Sequence, residues 1–242
     1  FLLSVLHISV VLGSASAILA WREGQSPGAR PLVLLLAGQV FWSLMLIFRL
    51  RAPGVEAKLF WMYLMWIGVV VIPLGWMLFA LSYTGRDRFL NWRYVSALTV
   101  VPVVTVILAI LGPAQGLLQI SIAQTPGLSV VQNDSGGVWY WIVAAYTYLL
   151  GGVGSALLVR LALSQMAAFR KQAYTLVGAL IIPWGINLCY LTDVLSTPID
   201  PTPVAFSVSG VIYLTAIRRY SLLRTNPAPN TTARRLVFDS TQ

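Results

Sequence analysis

Residues 59–83 read LFWMYLMWIGVVVIPLGWMLFALSY, twenty-five consecutive positions without an Asp, Glu, Lys or Arg. About twenty apolar residues suffice for a helix to cross the hydrocarbon core of a bilayer. In lipid every backbone amide has to be satisfied inside its own segment, so a run of this kind is a helix. Tyr83-Thr84-Gly85-Arg86 then supplies a stop signal, a glycine with a basic flank.

Six more runs of the same character lie at roughly 1–21, 31–50, 92–112, 138–159, 173–192 and 203–220, the last being the shortest. The chain therefore reads as all-α, a polytopic membrane protein folded as a seven-transmembrane helix bundle. Barrel strands would be half as long and would alternate polar with apolar residues, and the runs do not. Composition agrees. Of 242 residues 58% are hydrophobic and 10% charged, where soluble domains carry about 25% charge. The single Cys189 excludes an internal disulfide framework. The chain opens on apolar Phe1 without a basic leader region, which raises the expectation that its natural N-terminus was trimmed.

A net charge of +9 could point to nucleic acid, but the Lys and Arg residues sit in short clusters between apolar runs. That is a topology signal, and no nucleic-acid partner is expected. With the N-terminus outside, the inner segments hold Arg22 and Arg30; Arg86, Arg88 and Arg93; Arg160, Arg170 and Lys171; and Arg218, Arg219, Arg224, Arg234 and Arg235. The outer segments hold Arg49, Arg51 and Lys58. The positive-inside rule thus favours an outer N-terminus and a cytoplasmic C-terminus in a cell membrane, with the loop around Arg51 as the dissenter. Asp200-Pro201-Thr202-Pro203 supplies a cap residue and prolines to open the seventh span. Asn133-Asp134-Ser135-Gly136-Gly137 is a turn signal, and its first three residues match a glycosylation sequon.

Much chemistry is not on offer. One histidine, His7, leaves no zinc site and no histidine-based triad, so neither a metal nor a catalytic residue is assigned. No phosphate-binding glycine loop occurs, and no cofactor is expected. Retinal requires a lysine within a helix, and Lys58 and Lys171 lie at span ends. The span interiors read as free of charged residues, which disfavours a pump or a cation-coupled transporter.

Polar and aromatic groups remain. Pro183, Asn187 and Tyr190 are four and three residues apart and share one face of span six. Asn187 serves either as an interhelical hydrogen-bonding group or as a ligand-orienting one. Span three presents Trp66, Pro73, Trp76 and Tyr83 on one face. In span five Trp139 and Tyr146 share a face, and Tyr140 and Thr147 share another. Gly151, Gly152, Gly154 and Ser155 read as close helix packing. Gln39 and Trp42 in span two carry the same ambiguity between packing and binding. The candidate ligand-binding set is Trp66, Trp139, Tyr146, Asn187 and Tyr190, in the outer half of the bundle.

Several segments together resemble a known family. They are Pro73-Leu74-Gly75-Trp76 with Phe79-Ala80-Leu81-Ser82-Tyr83-Thr84-Gly85-Arg86, Val138-Trp139-Tyr140-Trp141 leading to Tyr146-Thr147-Tyr148, Ile182-Pro183-Trp184-Gly185-Ile186-Asn187 with Tyr190, and Asp200-Pro201-Thr202-Pro203-Val204-Ala205-Phe206. In order and spacing the chain resembles the N-terminal seven-transmembrane sensor region of microbial histidine kinases. The resemblance implies a sensor domain over 1–221 and a cytoplasmic linker over 222–242, leading to an output domain beyond Gln242. It implies a membrane-borne or extracytoplasmic signal, from a small molecule or from lipid, and action as a homodimer. It assigns no catalytic residue to this chain. A transporter or channel is the alternative, and an intramembrane enzyme is a third reading that lacks a nucleophile with a base.

Overall fold

The computed structural model describes residues 2–24, 28–111, 121–125, 128–132, 137–164, 167–195, 197 and 199–219. The proposed linker over 222–242 and the Asn133 sequon lie outside them. Among the described residues seven α-helices appear where seven runs were read: α1 Leu2–Arg22, α2 Ala29–Arg51, α3 Gly54–Tyr83, α4 Trp92–Leu111, α5 Val138–Ser164, α6 Ala167–Leu191 and α7 Thr202–Arg219. The first six are long and apolar enough to cross a bilayer, and α7 holds a shorter apolar stretch, Thr202–Ala216. One element departs from the all-helical reading. The α4–α5 connection carries an antiparallel hairpin of β1 Ser121–Thr125 and β2 Leu128–Gln132.

The end of α3 shows how sequence fixes a boundary. Gly85 takes φ 68, open to glycine at little cost. The Arg86 N–H then bonds the Leu81 carbonyl at 2.9 Å, and the Gly85 N–H bonds that of Ser82 at 3.1 Å. This paired closure satisfies carbonyls that the helix end would leave bare.

Five helices, α2, α3, α5, α6 and α7, pack around a common interior, while α1 flanks α2 and α7 and α4 flanks α3 and α5. The α2–α3 crossing is close because α3 gives up side chains there. A Cβ on Gly75 would stand 2.7 Å from the Leu35 nitrogen, and one on Gly68 2.9 Å from the Gly38 oxygen. On α5, Gly151 lies under the Trp184 ring and Gly154 against Trp76, whereas Gly152 meets open space. The small-residue stripe is thus split between packing and exposure.

The last helix is fastened on two sides. Ser9 and Ser16 of α1 donate to the carbonyls of Pro203 and Gly210 at 3.1 and 3.2 Å. Ser209 donates to the Ala179 carbonyl of α6 at 2.6 Å. Hydroxyl-to-carbonyl bonds of this kind tie helices together where burial of apolar surface gives no preference over lipid.

Candidate functional site

The two ends of the bundle differ. At the end where α3 meets α4 the interior is full. Leu32, Leu35, Leu36, Trp76 and Phe79 are fully buried. The Trp76 indole N–H donates to the Gly151 carbonyl at 3.2 Å. The Tyr83 hydroxyl donates to the Gln172 side-chain oxygen at 2.9 Å.

Toward the hairpin end the five inner helices part around a cavity of about 100 Å³. Gln39, Trp42 and Arg49 line it from α2, at offsets of three and seven that keep them on one helical face. Trp66, Val69, Ile72 and Pro73 face it from α3, and Tyr140, Thr147 and Tyr148 from α5. Trp184, Asn187 and Tyr190 come from α6, and Phe206 from α7. Ten residues of α2 separate Gln39 from Arg49, so the lining runs about 15 Å along the helix.

The mouth of the cavity is polar. Asn187 donates through its amide nitrogen to Asp200 and to the Thr202 hydroxyl, both at 3.2 Å. Its amide oxygen accepts the Tyr148 hydroxyl at 3.0 Å. The Asp200 carboxylate accepts the Thr202 N–H at 2.8 Å and also the Thr202 hydroxyl, and so caps the start of α7. Arg49 is buried, 7% exposed, and interacts electrostatically with Tyr190 and Asp200. Burial raises the Asp200 carboxyl above its ordinary 3.8; hydrogen bonds from Thr202 and Asn187 and the Arg49 charge pull the other way. One cluster therefore joins α2, α5, α6 and the first residues of α7.

The floor is polar too, and unsatisfied. Gln39 is 2% exposed, and among the described residues neither its amide nitrogen nor its amide oxygen has a hydrogen-bond partner. The Trp42 indole N–H has none either. Between mouth and floor the walls are apolar and aromatic, with Trp42 edge-on to Phe206 at 5.4 Å and Tyr148 against Trp184 at 5.3 Å.

Of the five candidate residues read from the sequence, the structure brings Trp66, Asn187 and Tyr190 to this cavity. Trp139 and Tyr146 face α4 instead. The Trp139 indole N–H donates to the Thr105 hydroxyl at 2.9 Å, and the Tyr146 hydroxyl to the Leu98 carbonyl at 3.0 Å. The other face of α5, with Tyr140 and Thr147, is the one turned inward. The sequence reading counted Arg49 with the outer basic residues, at the end of the 31–50 run, and took the span interiors as free of charge. Arg49 is instead inside α2 and buried, because that helix runs on to Arg51. The readable signal was its spacing from Gln39 and Trp42. An ionisable group held inside a bundle is costly and marks function by default.

A search among curated proteins finds no match. The family described as the N-terminal 7TM region of histidine kinase matches residues 5–227. That range runs from the first turn of α1 past the end of α7, and so takes in the whole bundle that encloses the cavity. A chain matched from its first helix to beyond its last is a member: this protein belongs to the family of N-terminal seven-transmembrane regions of histidine kinases.

Proposed function

We propose that this chain is the membrane sensor of a signalling histidine kinase, and that its cavity receives a small-molecule or lipid signal. The sensor domain spans 1–221, and the residues after α7 lead to a cytoplasmic output domain of the same protein. The observation that carries the reading is the polar cluster at the cavity mouth. Asp200 caps α7, and the same carboxylate is held by Asn187 of α6 and by the charge of Arg49 on α2. A ligand that binds one arrangement of this cluster better than another shifts the position of α7 by that difference in affinity. Pro73 and Pro183, inside α3 and α6 and lining the cavity, are the kink points for such a change.

The orientation proposed is hairpin end outside and α7 exit inside, in a cell membrane. Burial of Arg49 supports it, since one of the three basic residues of the dissenting loop is not a loop charge. Reporter fusions near 234 read on the outer side overturn this orientation. Transport has less support, because the residues beneath Gln39 are packed solid. Substrate uptake by vesicles containing the chain alone would reverse that preference.

Asn187→Ala tests the sensor reading. In full-length kinase reconstituted in vesicles, autophosphorylation of the variant is expected to stay at one level under conditions that switch the wild type, with insertion unchanged. A variant that switches normally and loses only thermal stability makes Asn187 a packing residue and sinks the coupling.

A further inference from the structure

We propose that the deep end of the cavity binds a small uncharged amphiphile, whose amide, carbonyl or hydroxyl group bonds to Gln39 and Trp42 while its apolar body lies along the cavity walls. This names the ligand class of the site assigned above and rests on that reading.

The first observation is the pair of orphaned groups. A buried amide without partners is costly, and folded proteins pair nearly all such groups. Among the described residues Gln39 leaves both a donor and an acceptor unused, and Trp42, three residues on, leaves a donor. Both line the same space. The last side-chain torsion of glutamine is soft, so either half of the amide can turn toward an occupant. The complement of one donor-plus-acceptor and one donor is a group that accepts twice or both accepts and donates. Carbonyl, amide and hydroxyl groups do this, and a saturated hydrocarbon does not.

The second observation is charge. The charged residues lining the cavity, Arg49 and Asp200, are at its mouth, about 15 Å from Gln39 along α2. They already interact with one another. An ion lowered to the floor would be desolvated without a counter-charge, which is strongly unfavourable. The head group is therefore neutral.

The third is the wall. Met62, Met65, Val69, Ile72, Leu180 and Phe206 offer no side-chain polar group apart from the weakly accepting methionine sulfurs. A bound water needs two to four polar partners and about 10–15 Å³. The cavity has about 100 Å³, and the polar side chains between its mouth and floor, Tyr140, Thr147 and Tyr148, all come from α5, so the opposite wall has none to hold a file of waters. An apolar body with one hydrogen-bonding end suits both regions at once.

The test uses the protein in lipid nanodiscs and radiolabelled octanamide. Binding is counted only where unlabelled compound displaces it, which separates the site from partition into lipid. Octanol is expected to compete comparably, and octanoate, octylammonium and octane about tenfold more weakly or worse. Gln39→Leu is expected to weaken octanamide about tenfold while raising the melting temperature of the empty protein, since it removes the orphaned amide. Trp42→Phe weakens it by a smaller factor and carries the test if the leucine variant does not fold. Absence of displaceable binding, octane competing as well as octanamide, an ion competing best, or affinity unchanged in both variants each overturns the proposal. Binding here is read without any output domain. Its failure therefore leaves the Asn187→Ala kinase result standing, and the converse also holds.

Discussion

Trp76 and Trp42 are buried indoles on neighbouring helices, and their surroundings treat them differently. The Trp76 N–H is bonded to Gly151, its ring rests on Phe79 and Gly154, and nothing of it is exposed. The Trp42 N–H has no partner among the described residues, and its ring borders the cavity. The same contrast holds for the regions around them. One end of the bundle is filled, although the Ser155 and Tyr213 hydroxyls lack partners among the described residues, and the other is hollow and lined by unmatched polar groups. Close-packed interiors transmit force and resist change. A hollow lined by unmatched donors and acceptors can lower its energy by taking up an occupant. Under the proposed function the filled end serves as the anchor and the hollow end as the part that responds.

The contrast can be broken by truncation. Trp76→Ala is expected to destabilise the protein by about 4 kcal/mol, because it opens a void in a full interior. Unfolding followed by tryptophan fluorescence in mixed micelles measures it. Trp42→Ala should cost only about 2 kcal/mol, since part of its ring has no contacts to lose. Equal losses, or a larger one at Trp42, erase the distinction. Tyr83→Phe sharpens it from the filled side. It removes the hydroxyl that reaches Gln172 and should cost about 1 kcal/mol in the same assay.

The smallest effect concerns pH. The folded protein holds the Asp200 proton more tightly than the unfolded chain does, since burial lifts that carboxyl above 3.8. The folded state then binds more protons in the window above 3.8, so this group's contribution to stability falls as pH rises through it. Asp200→Asn keeps an oxygen for the Thr202 N–H and has no proton to lose. Its stability should vary less with pH across that window. An equal slope in the two proteins places the pH dependence elsewhere.

Much of this was legible in the residues. The seven helices follow from apolar length alone, and Gly85 announced the end of α3. The shared face of Pro183, Asn187 and Tyr190 follows from the 3.6-residue repeat, and all three line the cavity. Periodicity gives which residues of a helix lie together but not which neighbour they meet. That is why two aromatic faces on α5 could not be ranked and the one turned to α4 entered the candidate set. Arg49 was hidden by a different cause. It closes the run read at 31–50, and hydropathy does not tell whether a charge at the end of a run faces solvent or turns into the bundle. The hairpin was missed because, between the runs ending at 112 and starting at 138, the one turn signal read was Asn133-Asp134-Ser135-Gly136-Gly137. Pro126-Gly127, between two five-residue runs, is a turn signal of the hairpin kind.

The serines of α1 have a consequence for how the molecule could be watched. Ser9 and Ser16 clasp the backbone of α7 at two heights, so the opening and closing helices of this chain travel as a couple. Any rotation of the exit rod drags the first rod with it or tears both clasps. A reporter dye on exposed Val11, which does not line the cavity, would then register the motion from the lipid side.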